Sequence, residues 1–111
     1  MNGEQIVAEL QERLKPAHRN QGRDGYMDNI PIVECGNGLT MSVQTGPSHY
    51  CQPRDGFGPW FEVEVGFPSA KVDEFMPFID GKDSDPTDTV YGFVPINLVA
   101  EVIAKNGGMK P

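Results

Sequence analysis

The sequence lacks the segments that place a protein in or across a membrane. No stretch approaches the roughly 18 consecutive apolar residues that a membrane helix requires. Residues Met1 to Gln5 have neither the basic start nor the apolar run of a secretory signal, so we expect the protein to remain in the cytoplasm. There are two cysteines, Cys35 and Cys51, and in that reducing compartment we expect them to be free thiols.

Positive charge is also scarce. Nine Lys and Arg residues stand against 16 Asp and Glu residues, which gives a formal net charge of -7. Nucleic-acid binding depends on clustered basic side chains, so DNA and RNA are not expected as direct ligands. A protein partner with a basic surface is expected instead, because the second half of the chain collects Glu62, Glu64, Asp73, Glu74, Asp80, Asp83, Asp85 and Asp88.

No catalytic motif is recognisable. A glycine-rich phosphate loop, a serine elbow and a Walker lysine are all missing, so we predict no cofactor and no catalytic residue. One alternative is a thiol or metal enzyme that uses Cys51 and His49, although two residues so close on one extended segment rarely face each other. A zinc site from Cys35, His49, Cys51 and His18 matches no known ligand spacing, so no metal site is predicted.

The segment Asp80–Asp88 is rich in carboxylates but does not fit a calcium loop. An EF-hand loop needs glycine at its sixth position and glutamate at its twelfth. Counted from Asp83, these positions hold Asp88 and Val94. A solvated turn is the prediction for this segment.

Length and periodicity predict one domain over residues 1–111. Ile6, Leu10 and Leu14 are spaced as on an amphipathic helix within residues 4–15 that ends before Pro16. Residues 16–29 have no apolar period and contain glycine and proline, which predicts a flexible linker. The remaining residues, 30–108, are expected to form the core of the fold.

Within that core the patterns alternate as in β-strands. A hairpin is predicted around Gly36-Asn37-Gly38, with Ile30 and Ile32 on one face of its first strand. In residues 61–67, the alternation predicts that one face points to the core, with Phe61, Val63, Val65 and Phe67, and that Glu62 and Glu64 face solvent. Acidic pairs on an exposed strand face commonly serve solubility rather than acid–base chemistry.

The last third adds a short helix, a strand and a longer helix. Ser69 is expected to cap a helix that stops at Pro77, and residues 89–94 to form a strand in which Gly92 permits a bulge or a close approach. Residues 96–105 form an amphipathic helix that ends at Asn106-Gly107-Gly108. With no βαβ alternation, these elements predict an α+β fold: an antiparallel sheet of about four strands with the N-terminal, middle and C-terminal helices on one face.

The loop between the second and third strands has the composition of a binding hot spot. Tyr50, Arg54, Phe57 and Trp60 belong to the residue types that anchor interfaces, and nearby Gly and Pro can fix the loop shape. The alternative is that Tyr50 and Trp60 fold back onto the core, since large aromatic side chains are mostly buried. The predicted contact surface comprises Tyr50, Arg54, Phe57, Trp60, Glu62, Glu64, Asp83, Asp85 and Asp88.

Three stretches carry a resemblance to a known family. They are residues 41–54, in which Met-Ser-Val-Gln-Thr is followed by His-Tyr-Cys-Gln-Pro-Arg, residues 64–69, Glu-Val-Gly-Phe-Pro-Ser, and residues 88–108, in which Asp-Thr-Val-Tyr-Gly-Phe-Val-Pro is followed by Ile-Ala-Lys-Asn-Gly-Gly. Together they resemble a family of small uncharacterised proteins encoded by tailed phages and prophages. The resemblance covers residues 30–108, and this chain departs from it at Asn106, where the family pattern has His.

The resemblance implies a setting rather than a set of active residues. That setting is the cytoplasm of an infected bacterium, where small acidic proteins often inhibit host machinery, including anti-CRISPR proteins that occupy basic nucleic-acid channels. The expected function is therefore an acidic, non-enzymatic module that binds and inhibits a bacterial host protein. A small structural or assembly protein of the phage is a further alternative, although no heptads or repeats favour it.

Overall fold

The structure, a computed structural model, describes residues 2–15, 30–54 and 58–111. The elements follow the order helix α1 (Gly3–Leu14), strands β1 (Val33–Glu34), β2 (Thr40–Gln44) and β3 (Glu62–Gly66), a 3₁₀ helix (Asp73–Phe78), strand β4 (Val90–Pro95) and helix α2 (Ile96–Lys105). The strands form one antiparallel sheet of four, in the order β1-β2-β3-β4. The predicted α+β fold is confirmed, whereas the predicted linker over 16–29 lies outside the described residues.

The core lies between one face of the sheet and the two α-helices. Residues opposite each other in register share a face. Val43 pairs with Val65, Val65 pairs with Tyr91, and all three side chains are buried. Helix α2 contacts β4 and α1 packs against α2, so the N-terminal helix docks on its own fold. Ile6 of α1 and Ile103 of α2 belong to the same buried cluster as these sheet residues.

The two α-helices agree with their predicted bounds, and α1 has a cap at its first turn. The Asn2 side chain accepts a hydrogen bond from the Gln5 N–H, and the Gln5 side chain accepts one from the Asn2 N–H, each at 2.9 Å. This reciprocal box satisfies two of the backbone donors that every helix start leaves open. At the other end of the chain, Gly107 and Gly108 terminate α2 with φ of 95° and 82°, where glycine carries no Cβ penalty.

The middle helix differs from the prediction. It is a 3₁₀ helix that begins at Asp73 and contains Pro77 instead of stopping before it. Ser69 does not cap it, because the Ser69 backbone and hydroxyl are both bound to Thr40 of β2, at 2.9 Å and 3.0 Å. Residues 68–72 therefore precede the helix, with Ser69 bound to β2.

Two apolar residues predicted to face the core are exposed instead, and so is Ile32 of the predicted first strand. Strand β3 begins at Glu62 and ends at Gly66. Phe61 and Phe67 lie just outside it and are 69% and 56% exposed. In the first strand Val33 is buried and Ile32 is 64% exposed. Phe61 and Phe67 keep the frame of the buried Val63 and Val65 but lie outside the strand. At β1 the reason is register, because a one-residue change in frame exchanges the buried and exposed faces of a strand.

Both outer edges of the sheet are covered. Beside β1, the Lys110 N–H donates to the Glu34 carbonyl at 2.8 Å. Beside β4, the Asp80 N–H donates to the Val90 carbonyl at 3.0 Å. Covering the edges satisfies backbone groups that would otherwise invite pairing with another chain. None of the helices in the described ranges is long and apolar enough to span a membrane.

Candidate functional site: an exposed aromatic–arginine cluster

The site is built on an irregularity in the pairing of β3 with β4. Between Val63 and Val65 the register shifts because β4 holds one extra residue, and this bulge falls at Gly92 and Phe93. The absent side chain of Gly92 is needed for close approach: a Cβ there would lie 3.1 Å from the Tyr50 Cβ. The predicted bulge and the predicted close approach are thus both confirmed.

Phe93 occupies an unusual backbone conformation in the bulge. Its φ is 54°, in the left-handed region that a bulky residue rarely adopts. The Phe93 N–H donates to the Tyr50 carbonyl at 2.9 Å, which ties the bulge to the loop that follows β2. Backbone strain of this kind persists where the surrounding structure enforces it, and it concentrates at functional sites.

Tyr50, Phe93 and Arg54 meet at the surface, and we call them the aromatic–arginine cluster. The Tyr50 and Phe93 ring centroids are 5.8 Å apart with planes tilted by 44°. The Arg54 guanidinium carbon lies 5.6 Å from the Tyr50 centroid and 5.8 Å from the Phe93 centroid. Tyr50 and Phe93 remain 47% and 37% exposed. Each cation–π contact at such an exposed position contributes about 0.5–1 kcal/mol, enough to favour one arrangement of the three side chains.

Glu64 holds the loop beneath the cluster. One carboxylate oxygen accepts a hydrogen bond from the Tyr50 N–H at 3.0 Å, and the other lies 3.0 Å from His49 Nδ1. The Arg54 Nε–H in turn donates to the His49 carbonyl at 3.1 Å. The backbone of the loop and its arginine are therefore fixed through one carboxylate of the sheet.

The electrostatic environment favours the ionised form of Glu64. Burial by itself raises the pKa of this carboxyl group. The hydrogen bonds from His49 and the Tyr50 N–H, with the positive charge of Arg54, outweigh that effect and lower the pKa below its usual value of 4.5. At neutral pH Glu64 is a charged anchor whose side chain is only 12% exposed.

Trp60, predicted as an anchor of the contact surface, is a core residue. Its side chain is 1% exposed, and the Gln11 side chain bonds to both its backbone N–H and its carbonyl, at 3.0 Å and 2.7 Å. Gly58, at φ 72°, lies so close that a Cβ would come within 2.6 Å of the indole ring. The alternative of core packing is correct for Trp60 and wrong for Tyr50. Gln11 of α1 binds the backbone of Trp60, a long-range contact that the loop sequence does not reveal.

The acidic residues of the predicted surface fall into two groups. Asp83, Asp85 and Asp88 are exposed on the loop between the 3₁₀ helix and β4. Glu64 is instead engaged beneath the cluster, so its predicted place on an open solvent face is wrong, and Glu62 is partly buried. The outer face of β3 is covered there by residues 49–54, a tertiary contact that strand alternation cannot reveal. Phe57 lies outside the described residues.

The acidic loop has the internal bonding of a turn. Asp85 Oδ1 accepts hydrogen bonds from the Thr87 N–H and hydroxyl, both at 2.9 Å. These bonds lower the pKa of Asp85. The Ser84 hydroxyl donates to the Asp80 carbonyl at 3.0 Å. Across the described residues, no group of three or more His, Cys, Asp or Glu side chains is placed to hold a metal ion.

Cys51 and His49 make separate contacts. The Cys51 side chain is buried, and its thiol lies 3.5 Å from the Gly46 carbonyl and 3.4 Å from the Pro53 carbonyl. The His49 ring is directed to Glu64 instead. A thiol nucleophile needs access to substrate and a base oriented toward it. In this arrangement Cys51 packs as a small buried side chain.

Phe93 is the site residue that the sequence pattern missed. The sequence predicts for it only a place in a strand rich in β-formers, and no residue type marks the left-handed conformation that brings it to the surface. The available signal was the glycine before it, since glycine inside a strand often marks a bulge.

Comparison of the chain with protein-family models, curated proteins and solved structures found no match.

Proposed function

We propose that this chain is a phage-derived binding module that inhibits a bacterial host protein by occupying a basic nucleic-acid-binding surface. The observation that supports it best is the aromatic–arginine cluster, in which Tyr50, Arg54 and Phe93 are exposed yet held in one arrangement. Aromatic and arginine side chains supply most of the free energy at protein interfaces. Fixing them before binding reduces the conformational entropy that association costs.

Charge supports the same proposal. The net charge of -7 and the exposed Asp83, Asp85 and Asp88 give the chain an acidic surface, on a loop that begins after Asp80 at the groove beside Tyr50 and Phe93. Such a surface accelerates encounter with a basic partner and disfavours nucleic acid as a competing ligand. A protein that occupies a nucleic-acid channel needs both properties: acidic groups to match the channel, and apolar anchors to hold the complex in salt.

Affinity capture from bacterial lysate with matched variants tests the proposal. Tyr50→Ala and Arg54→Gln should each reduce capture of the host protein at least about tenfold, because both remove a cluster side chain without opening the core. Ile32→Ala is the control: Ile32 is 64% exposed but adjoins β1, at the opposite edge of the sheet from β4. Equal capture by all variants, or recovery of the chain alone, would refute the proposal.

The captured protein must also lose activity. Adding the purified chain should inhibit nucleic-acid binding by the captured protein, and the Tyr50→Ala variant should be a correspondingly weaker inhibitor. Raising the salt concentration should weaken capture by slowing encounter, since exposed charges are screened over about 8 Å at physiological ionic strength. Capture without any effect on nucleic-acid binding would separate binding from the proposed inhibition.

A further inference from the structure

A groove lies between the aromatic–arginine cluster and the end of the 3₁₀ helix. Its volume is about 240 Å³, with Tyr50, Gly92 and Phe93 on one side and Phe78, Ile79 and Asp80 on the other. Most of this lining is apolar, and Phe78 and Ile79 are only partly buried although they pack against the core.

The size of the groove restricts what it can hold. Sites for cofactors and small-molecule ligands usually enclose about 300–1,000 Å³. At about 240 Å³ this groove is smaller and matches one long side chain. Its occupant should therefore be a single side chain presented by a partner protein.

The charge at the rim indicates which side chain fits. Asp80 is exposed, and among the described residues its carboxylate forms no hydrogen bond or ion pair, while its backbone is held by Val90 and Thr89. An arginine has an aliphatic stem that packs on apolar walls and a planar head that pairs with a carboxylate. The neighbouring Asp83 adds negative potential on the same loop.

We infer that this groove accepts an arginine side chain of the partner protein, with its stem along Tyr50 and Phe93 and its guanidinium at Asp80. The inference rests on the proposed function in that a protein partner supplies the arginine. It identifies the recognised group as one that basic nucleic-acid-binding surfaces carry in abundance. Asp80 and Phe93 then contribute to specificity. A neutral side chain could pack on Phe93 but would leave the Asp80 carboxylate without a charged partner, and an acidic side chain would be repelled by Asp80.

The groove can be tested without the partner. N-acetyl-arginine methylamide is titrated into the ¹⁵N-labelled chain, and the citrulline analogue, which has the same shape without the charge, is titrated in parallel. We expect saturable shifts at the amides of Asp80, Gly92 and Phe93 with millimolar affinity, and about tenfold weaker binding of the citrulline compound. Asp80→Asn should weaken arginine binding by a similar factor, whereas Glu101→Gln, an exposed carboxylate of α2 that does not line the groove, should leave it within about twofold.

The results separate the groove from the proposed function. Shifts that fail to saturate, that are equal for the two compounds, or that persist unchanged in Asp80→Asn overturn the arginine site. A host protein captured equally by wild type and Asp80→Asn likewise overturns the site while the proposed function stands. Arginine binding that depends on Asp80, with no host protein captured, supports the site and refutes the proposed function.

Discussion

The φ of 54° at Phe93 predicts that glycine at this position is more stable than alanine. Any residue with a Cβ loses about 1–2 kcal/mol in the left-handed region. Glycine avoids that strain but costs about 0.5–1 kcal/mol in chain entropy. Phe93→Gly and Phe93→Ala remove the same ring and the same contacts with Tyr50 and Arg54. Their difference therefore isolates the backbone, and we expect Phe93→Gly to be more stable by about 0.5–1 kcal/mol.

Phe61 provides the matched control. It is also an exposed phenylalanine, at 69%, but its φ is not positive. There the order should reverse, with Phe61→Gly less stable than Phe61→Ala by about 0.5–1 kcal/mol. Urea unfolding of the four variants, followed by fluorescence of the single, buried Trp60, measures both differences. The thermal midpoints should differ by roughly 2–4 °C within each pair.

If Phe93→Gly is the less stable member of its pair, the left-handed conformation at Phe93 is contradicted. That order would mean the backbone at Phe93 is extended and the strand continues without a bulge. The ring would then project from a regular strand, and the packing between Tyr50 and Gly92 would lose its structural basis. If Phe93→Gly is more stable than Phe93→Ala and both variants capture less host protein, the strained residue is also a binding residue.

Three further outcomes follow from other contacts. Gly36→Ala should destabilise the fold by about 2–3 kcal/mol in thermal melts, because its Cβ would overlap the backbone carbonyl oxygen of Gly107, while Gly3→Ala, with no atom within 4 Å, should not. The thiols of Cys35 and Cys51 are buried and should react with Ellman's reagent only as fast as the chain unfolds; rapid reaction in native buffer would contradict their burial. The lowered pKa of Glu64 means that this carboxylate stabilises the fold above pH 4.5 and that the stabilisation is lost as pH falls through the folded-state pKa. In urea unfolding, Glu64→Gln should therefore be less stable than wild type at neutral pH, and its free energy of unfolding should fall less steeply in acid. Parallel acid profiles of the two proteins would contradict this.

The helices could be predicted closely from the sequence because their signals are local. The spacing of Ile6, Leu10 and Leu14 and the glycines after residue 105 operate within one or two turns, and the observed helices, Gly3–Leu14 and Ile96–Lys105, follow them. The short middle helix had only a serine and a proline as signals. Ser69 bonds to β2 instead, so a long-range contact determined where that helix begins.

Strand patterns were informative about faces but not about ends. The alternation from Phe61 to Phe67 continues one residue beyond the strand on each side, and of its four apolar side chains only Val63 and Val65 are buried. Alternation also cannot show what lies across from a polar residue. Glu64 was expected in solvent because its strand neighbours are buried, yet the loop after β2 folds over it and supplies two hydrogen bonds.

The candidate site shows the same division between local and long-range information. Tyr50 and Arg54 could be selected by residue type, since both belong to a loop of hot-spot composition. Their partner Phe93 comes from β4, more than thirty residues later, and reaches them only because one extra residue in that strand turns its backbone into the left-handed region. A bulge without Gly92 would place a Cβ against Tyr50, and a loop without Glu64 would lose the carboxylate that binds the Tyr50 N–H. The cluster therefore depends jointly on a strained strand residue, a glycine and a paired carboxylate, and the strain that this structure maintains at Phe93 is the physical argument for a binding role at this surface.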